Sequence, residues 1–327
     1  MKHLLKTAAA AAAVLGLAAC GSGSPSAGTD ASGSPAAGGE GLTPVTVGVI
    51  PIVDTAPIWL GEAEGLFAEE GLDLDIQTAT GGSAIVPGVQ SGSYDFAFSN
   101  LISIMVANDK GLDMSVVANG ATTTGDAEHD FGGVVVNADS DIRTPKDLAG
   151  KKVSVNNLSN IGDTTIKDVI EADGGDAASV QFVEVPFPDA PAALENGVVD
   201  AAWIVDPFLT QAVDSGARLV SSNFVDFHPE LDIAGYFTSQ AKIDAEPELV
   251  ERFTRAMNAS LEFAQENPEK VRDIVGTYTK IDDETRAEIV LPRYRAEFDQ
   301  EAAQKLADSA KKYGTLSNDA DLEKLLP

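Results

Sequence analysis

Short segments rich in β-branched and aromatic residues alternate with longer segments of helical periodicity from Val45 onward. This alternation is typical of α/β proteins, in which helices cover the faces of a largely parallel sheet. It predicts two successive strand-and-helix units. The predicted strands cover residues 47–52, 72–79, 94–99 and 114–119 in the first unit, and residues 152–155, 180–185, 201–205 and 218–221 in the second.

The chain beyond the second unit is predicted to be almost wholly helical. A short β-rich run over residues 235–238 is expected to cross back to the first unit. The predicted helices after it cover residues 247–265, 268–278, 283–291 and 300–313, and the first of them has apolar residues at helical spacing. The chain is long enough to bury a large core, and we expect it to form two lobes.

The amino-terminal segment has the layout of a bacterial export signal. A basic start precedes an apolar run over residues 8–17, which is shorter than the roughly 20 apolar residues that a membrane-spanning helix needs. The sequence Leu17-Ala18-Ala19-Cys20 resembles the bacterial lipobox, whose cysteine receives a diacylglycerol group. We predict a signal peptide over residues 1–19 and a lipid anchor on Cys20. The alternative is an ordinary signal peptide followed by an incidental cysteine.

The segment after Cys20 has the composition of a flexible linker. Residues 21–43 consist almost wholly of Gly, Ser, Ala, Pro and Thr, and such a segment buries too little apolar surface to offset its ordering entropy. The scaling for Gly/Ser linkers gives it a root-mean-square reach of about 26 Å. Residues 20–43 are therefore predicted to tether the folded body to a membrane.

The charge of the chain excludes one class of partner. Its formal net charge is −29, with 22 Lys and Arg against 51 Asp and Glu. We expect no binding to nucleic acid, because phosphate contacts need clustered basic residues. An anionic ligand would have to be held by local dipoles, since the field of the whole protein would repel it.

Catalytic motifs are scarce in this sequence. Beyond the predicted leader the only histidines are His129 and His228, and Cys20 is the only cysteine. The sequence has no Gly-x-Ser-x-Gly elbow and no phosphate-binding loop. The charged stretch 126–130 could ligate a metal in principle, but such loops are usually solvated. We therefore expect a protein without catalytic activity, cofactor or bound metal.

Four strings in the two units resemble a known family. They are GLFAEEGL over residues 65–72, GSYDFA over residues 92–97, DLAGKKV over residues 147–153 and VDAAWIVDPF over residues 199–208. Together they resemble the nitrate/sulfonate/taurine group of solute-binding proteins that serve ABC importers. The resemblance implies a type II periplasmic-binding-protein fold, with a ligand cleft between two lobes. We expect lobe 1 over residues 44–135 and 236–327, and lobe 2 over residues 136–235.

Ligands of such folds lie at the carboxyl ends of strands, opposite the amino termini of the following helices. Gly81, Gly82 and Ser83 form the most promising turn of this kind, because glycines allow close approach and helix amino termini favour anions. The alternative is a plain turn with a serine cap. Helix capping is the alternative for Ser159, Asn160 and Thr164, and Thr55 could likewise cap the next helix. Ser99 and Asn100, which end the third predicted strand, are further candidates for the same cleft.

Four other candidates depend on which way their side chains point. Trp203 is expected to contact the ligand or to lie in the core, and Tyr236 to contact the ligand or to pack at the crossing. Asp54 and Asp206 each follow a predicted strand, and Asp206 could instead cap the next helix. If both carboxylates face the cleft, they disfavour a bare anion and suit a zwitterion or an amine-bearing heterocycle.

The sequence therefore predicts a monomeric, lipid-anchored receptor on the outer face of the cell membrane that delivers a small solute to the permease subunits of an ABC importer. A sulfonate, taurine or nitrate-like solute is the first expectation for the ligand. The alternative is a pyrimidine related to thiamine precursors, which a related group of the same fold binds. A competing class is the pyrimidine-forming enzymes of this fold. A resemblance to those enzymes would imply a sequence pattern rich in Cys and His, which this chain lacks.

Overall fold

The computed structural model describes residues 41–327. The predicted signal peptide, the lipid-anchor residue Cys20 and nearly all of the predicted linker lie outside the described residues. Within residues 41–327, no helix is long and apolar enough to cross a membrane.

The strands form two five-stranded sheets, as the sequence predicts in outline. The first sheet has the order β2-β1-β3-β10-β4 and the second the order β7-β6-β8-β5-β9. The strands of the first sheet are β1 (Thr43–Val49), β2 (Leu72–Thr78), β3 (Phe96–Asn100), β4 (Met114–Thr122) and β10 (Asp232–Ser239). Those of the second are β5 (Gly132–Val136), β6 (Lys152–Val155), β7 (Gln181–Glu184), β8 (Ala201–Val205) and β9 (Arg218–Ser221).

Each sheet has one strand that arrives from the other half of the chain and runs antiparallel to its neighbours. In the first sheet β10 lies antiparallel between β3 and β4, and in the second β5 lies antiparallel between β8 and β9. The strands β1, β2 and β3 are parallel to one another, as are β6, β7 and β8. The carboxyl ends of the parallel strands therefore meet at one edge of each sheet.

The sequence reasoning missed β5. Its first two residues are Gly132 and Gly133, which weaken the strand signal. A Cβ atom at Gly132 would lie 2.5 Å from the Phe224 ring, and one at Gly133 would lie 2.5 Å from Leu219. Large side chains from a neighbouring helix and from the adjacent strand β9 thus occupy the space beside these glycines.

The chain crosses twice between the two sheets. The first crossing lies between β4 and β5, and the second between β9 and β10. Asp232, at the start of β10, anchors the second crossing because its carboxylate accepts hydrogen bonds from Asn119 Nδ2 (3.1 Å) and Thr122 Oγ1 (2.6 Å). It also pairs with Arg295 at 3.0 Å.

Fourteen helices cover the sheets of the described part of the chain. They are α1 (Ala56–Glu64), α2 (Leu66–Glu69), α3 (Gly82–Gln90), α4 (Leu101–Asp109), α5 (Ile161–Ala172), α6 (Ala190–Glu195), α7 (Phe208–Asp214), α8 (Asn223–Phe227), α9 (Gln240–Ala245), α10 (Pro247–Glu266), α11 (Pro268–Tyr278), α12 (Asp283–Glu288), α13 (Gln300–Lys312) and α14 (Leu322–Leu325). Gly65 separates α1 from α2, because its φ of 84° ends α1 with a left-handed cap.

The core lies between each sheet and its helices. In the first unit Phe96 of β3 and Phe253 of α10 stack with ring centroids 3.9 Å apart. This packing holds the long α10 against the sheet and keeps the carboxyl ends of β1 and β3 facing the second unit.

Candidate functional site

A narrow cavity of about 20 Å³ lies between the two sheets. Its walls come from both units of the fold. The first sheet and its loops contribute Ile50, Ile52, Asp54, Phe98, Asn100, Ile233 and Ala234, and the second contributes Asn156, Ile161, Phe187, Trp203, Val205 and Phe224.

The strand directions explain why these residues meet. Residues 50–54 follow β1 and Asn100 is the last residue of β3, while Asn156 follows β6 and Val205 ends β8. Because these strands are parallel within each sheet, their carboxyl ends lie side by side, which is where α/β folds bind ligands. The cavity thus occupies the place that the sequence predicts for a ligand.

Aromatic rings form the wall of the cavity on the side of the second sheet. The Trp203 ring lies edge-on to Phe187, with centroids 5.2 Å apart, and to Phe224, with centroids 5.7 Å apart. Gly162, in the first turn of α5, lets the helix backbone approach the Trp203 ring, because a Cβ atom there would lie 2.5 Å from it. Trp203 Nε1 is buried and has no hydrogen-bond partner within the described protein.

Asp54 is the one acidic residue that lines the cavity. It lies in a 3-10 turn over Val53–Thr55 just before α1 and is 2% exposed. Burial raises the pKa of its carboxyl group to about 7, and the nearby carboxylates of Asp130 and Asp206 act in the same direction. Its Oδ2 atom has no hydrogen-bond partner within the described protein. A buried oxygen of this kind is costly unless a partner group reaches it.

Thr55 serves the loop and does not line the cavity. Its Oγ1 donates to the carbonyl oxygens of Ile50 (2.8 Å) and Ile52 (3.1 Å). These bonds fix the turn that presents Asp54 to the cavity.

Two asparagines supply amide groups at the cavity. Asn100 Oδ1 accepts a hydrogen bond from the Ser103 backbone N–H at 3.0 Å and caps α4. Asn156 Oδ1 is buried and has no hydrogen-bond partner within residues 41–327. Sequence reasoning did not select Asn156. It also missed the aromatic residues Phe98, Phe187 and Phe224, which lack a polar signal.

The predicted anion cradle at Gly81 and Gly82 is filled by protein groups. A Cβ atom at Gly81 would lie 2.3 Å from Asn157 Oδ1, and one at Gly82 would lie 2.4 Å from Ser99 Oγ. The glycines therefore allow neighbouring side chains to approach closely. Ser83 is the second residue of α3.

Asn160 joins the two units beside this turn. It caps α5, and its Nδ2 donates to Ser103 Oγ of α4 at 2.8 Å. Ser159, one residue earlier, is exposed with a φ of 53°. Thr164 lies buried within α5, and its Oγ1 has no hydrogen-bond partner within the described range. None of these three residues lines the cavity.

Asp206 bridges the two units and does not line the cavity. Its carboxylate accepts hydrogen bonds from the backbone N–H groups of Thr210 (2.8 Å) and Val290 (2.7 Å). Its carbonyl oxygen accepts one from the Val53 N–H at 3.0 Å. Burial raises the pKa of this carboxyl group to about 7.

Tyr236 lies in the core of the first unit. Its ring packs edge-on against Phe98, with centroids 5.4 Å apart, and against Phe253, with centroids 6.1 Å apart. Tyr236 therefore packs within the return strand, which is the alternative to ligand contact given for it above.

The lining side chains are mostly apolar and carry no positive charge. Among the cavity residues of the described chain, none is Lys, Arg or His. The polar atoms available to a ligand include three buried atoms without a protein partner: Asp54 Oδ2, Asn156 Oδ1 and Trp203 Nε1. Two of them accept hydrogen bonds and the third donates one.

Comparison with known proteins places the chain in a family. Residues 52–271, more than half of the chain, match the family model described as NMT1/THI5 like. The chain therefore belongs to the NMT1/THI5-like family. The structural neighbours described below show a type II periplasmic-binding-protein fold, so the fold predicted from the sequence is confirmed.

Two curated relatives match 225 residues each. The chain is 27% identical to the formylaminopyrimidine-binding protein of Halalkalibacterium halodurans, over 67% of this chain and 65% of that protein. It is 24% identical to the "Putative aliphatic sulfonates-binding protein" of Bacillus subtilis, over 68% of this chain and 65% of that protein. The match thus spans just under two thirds of the length of these relatives.

Solved structures share the fold at low identity. The periplasmic nitrate-binding protein of Synechocystis PCC 6803 matches with a TM-score of 0.74 and 14% identity, over 87% of this chain and 86% of that chain. A desulfurization enzyme matches with a TM-score of 0.63 and 16% identity, over 86% of this chain and 95% of that chain. At such identities the likeness concerns the fold alone.

Proposed function

We propose that the protein is the solute receptor of an ABC importer and that it binds an amino-substituted pyrimidine in the cavity between its two sheets. The observation that carries the proposal is the composition of the cavity wall. Aromatic rings, one buried carboxyl group and two asparagine amides surround it, and none of the described residues that line it is basic. Cavities that bind small molecules are typically apolar with a few placed polar groups.

The three polar atoms without a protein partner match the hydrogen-bonding groups of such a ring. An exocyclic amino group donates two hydrogen bonds, which Asp54 Oδ2 and Asn156 Oδ1 can accept. A ring nitrogen accepts one, which Trp203 Nε1 can donate. A planar ring also suits the faces and edges of Trp203 and its two phenylalanine neighbours.

A sulfonate or nitrate, the first expectation from the sequence, has less support from this cavity. Its negative charge would lie near Asp54 without a compensating cation, and burying an unpaired charge is costly. The glycine turn expected to hold an anion is occupied by Asn157 and Ser99. The similarity to a formylaminopyrimidine-binding protein also favours a pyrimidine. The similarity to a putative aliphatic sulfonates-binding protein keeps a sulfonate as the alternative ligand.

The proposal includes the cellular setting expected from the sequence. Cys20 carries the lipid, residues 20–43 form the tether, and the folded body works as a monomer at the outer face of the membrane. The lobes, divided near the two crossings, close on the solute by a hinge motion and present it to the permease subunits. A globomycin-sensitive shift in the size of the precursor, lost in Cys20→Ala, is the expected sign of lipidation.

We propose binding without catalysis, although the same fold occurs in a desulfurization enzyme. The lining residues of the described chain include no cysteine, histidine or serine that could act as a nucleophile or proton carrier. Turnover of a bound pyrimidine by the purified protein would overturn this part of the proposal.

A thermal-shift screen tests the ligand class. The purified full-length chain is heated in detergent with aminopyrimidines, taurine, alkanesulfonates, nitrate or buffer alone. A ligand at 100 times its dissociation constant adds about 2.7 kcal/mol of stability, and that raises the melting temperature by several degrees. We expect a shift with aminopyrimidines only; a shift with sulfonates alone would contradict the proposed ligand.

A further inference from the structure

A second cavity lies directly outside the proposed ligand site. It has a volume of about 290 Å³ and is called the vestibule here. It is lined by Ile50, Pro51, Ile52, Thr78, Ala79 and Thr80 from the first unit, and by Pro186, Phe187, Pro188, Asp189 and Phe208 from the second.

The vestibule and the ligand cavity share walls. Ile50, Ile52 and Phe187 line both of them. Phe187 is buried and packs edge-on against Trp203 of the ligand cavity, so its ring forms part of the wall between the two spaces. A group attached to a ring in the cavity would pass between these three side chains into the vestibule.

The chemistry of the vestibule differs from that of the inner cavity. Three of its residues are prolines, which have no backbone N–H to donate, and two are phenylalanines. Its polar side chains are two threonines and Asp189, and Thr78, Thr80 and Asp189 lie on the exposed rim. No basic residue lines it within the described chain. Such a surface favours uncharged apolar groups and disfavours anions.

The vestibule also has walls from both units, so an occupant would contact both lobes at once. Residues 50–52 and 78–80 face residues 186–189 and Phe208 across it. A group in this position would add apolar contacts that exist only when the two units are together.

We propose that the natural ligand is a pyrimidine with an uncharged apolar substituent, and that the vestibule binds this substituent while the inner cavity binds the ring. This inference rests on the proposed function and adds a specificity determinant to it. Phe208 and Thr78 are then specificity residues for the substituent, and they do not contact the ring.

The test uses two series of 4-amino-2-methylpyrimidines, one substituted at ring position 5 and one at position 6. Each series carries hydrogen, methyl, propyl or benzyl at that position. Affinity for the full-length chain is measured by calorimetry. Burial of each methylene is expected to tighten binding by about two- to fourfold, so the propyl compound of one series should bind at least about tenfold more tightly than its parent.

Two variants locate the substituent. Thr78→Trp places a large ring in the vestibule at an exposed position of β2 and should abolish the gain from propyl while leaving the affinity of the parent ring unchanged. Gln77→Trp is the matched control, because Gln77 is the adjacent exposed residue and does not line the vestibule. Phe208→Leu, which keeps an apolar side chain in α7, should reduce the gain from benzyl.

The outcomes separate this inference from the proposed function. If none of the parent pyrimidines binds, the proposed function fails. If the parents bind but no substituent tightens binding in either series, or if the gain survives in Thr78→Trp, the vestibule does not hold a substituent and this inference is overturned.

Discussion

Asp54 is the residue on which the proposed recognition depends. A carboxyl group at 2% exposure with a free oxygen destabilises the protein when it is ionised. A ligand amino group that donates a hydrogen bond to Oδ2 would offset this destabilisation, and the gain would appear as binding free energy. The residue is therefore expected to link stability, pH and ligand binding.

The raised pKa of Asp54 predicts a pH dependence of stability. Its pKa is about 7 in the folded chain and about 3.9 in the unfolded chain. The folded state thus binds the proton more tightly, so its stabilising effect is complete below about pH 4 and is lost as the pH rises through 7. Asp206 acts in the same direction.

We expect Asp54→Asn to flatten this dependence. The free energy of unfolding of the ligand-free wild type should fall by up to about 1.4 kcal/mol per pH unit and per group between pH 5 and pH 7. The variant should show a smaller slope in urea denaturation at pH 5, 6, 7 and 8. Asp75→Asn, on the exposed face of β2, is the control. Equal slopes for Asp54→Asn and the wild type would contradict the assignment.

Single residues show how far sequence reasoning reaches. Asp54, Asn100 and Trp203 are among the candidates chosen from the sequence, and all three line the cavity, so their role as ligand contacts stays a prediction. Asp206 follows a strand in the same way, but its carboxylate turns toward the backbone of α7 and Val290. Side-chain direction at such a turn depends on tertiary partners that the sequence does not reveal.

At the scale of elements, the turn before α3 shows how glycine can mislead. A glycine pair between a strand and a helix permits close approach, but the sequence does not show whether a ligand or the protein itself approaches. Here the neighbour is Asn157, from the loop between β6 and α5. The glycines therefore let elements of the two units come together.

This contact predicts an effect of Gly81→Ala on binding. The backbone at residue 81 is extended, with a φ of 169°, so alanine causes no backbone strain. Its Cβ atom would clash with the Asn157 amide, and relieving such crowding costs about 1–3 kcal/mol. Ligand affinity should fall by at least about fivefold, as calorimetry would show. Gly41→Ala is the control, because a Cβ atom at residue 41 would have no neighbour within 4 Å. An unchanged ligand affinity in Gly81→Ala would contradict a role of this contact in binding.

The strand and helix pattern was predictable wherever the local signal was strong. Strands β6, β8 and β9 and helix α11 begin and end at the predicted residues. The short helices α8 and α9 were missed, since five or six residues are too few to show a helical period. Strand β5 was missed because tertiary packing onto Gly132 and Gly133 stabilises it.

At the scale of the whole molecule, polar bonds between the two units frame the cavity. They include the bonds from Val53 and Val290 to Asp206, and the bond from Asn160 to Ser103. Because the sheets are otherwise joined by two crossings and by the carboxy-terminal helices, these bonds are expected to form when the lobes close on a ligand.

Removal of the Asp206 carboxylate should therefore favour the open form. In Asp206→Ala the N–H groups of Thr210 and Val290 lose their acceptor, and an unsatisfied buried donor costs about 1–3 kcal/mol. We expect the radius of gyration from small-angle X-ray scattering to decrease on addition of an aminopyrimidine to the wild type, and to decrease less in Asp206→Ala. Asp214→Ala, which changes an exposed residue at the end of α7, should behave as the wild type. An equal decrease in all three proteins would exclude Asp206 from closure.

The measurement that tests the central claim most directly is a calorimetric titration at pH 7.5 of 4-amino-5-hydroxymethyl-2-methylpyrimidine and of taurine into the wild type, Asp54→Asn and Asp130→Asn. Asp130 is a second buried carboxyl group, but Thr123 and Thr124 already donate hydrogen bonds to it. Loss of a hydrogen bond to a charged group costs about 1.5–3 kcal/mol. The account predicts that only the pyrimidine binds, at least about tenfold more weakly to Asp54→Asn and with wild-type affinity to Asp130→Asn. Binding of taurine alone, or pyrimidine binding unaffected by Asp54→Asn, would contradict it.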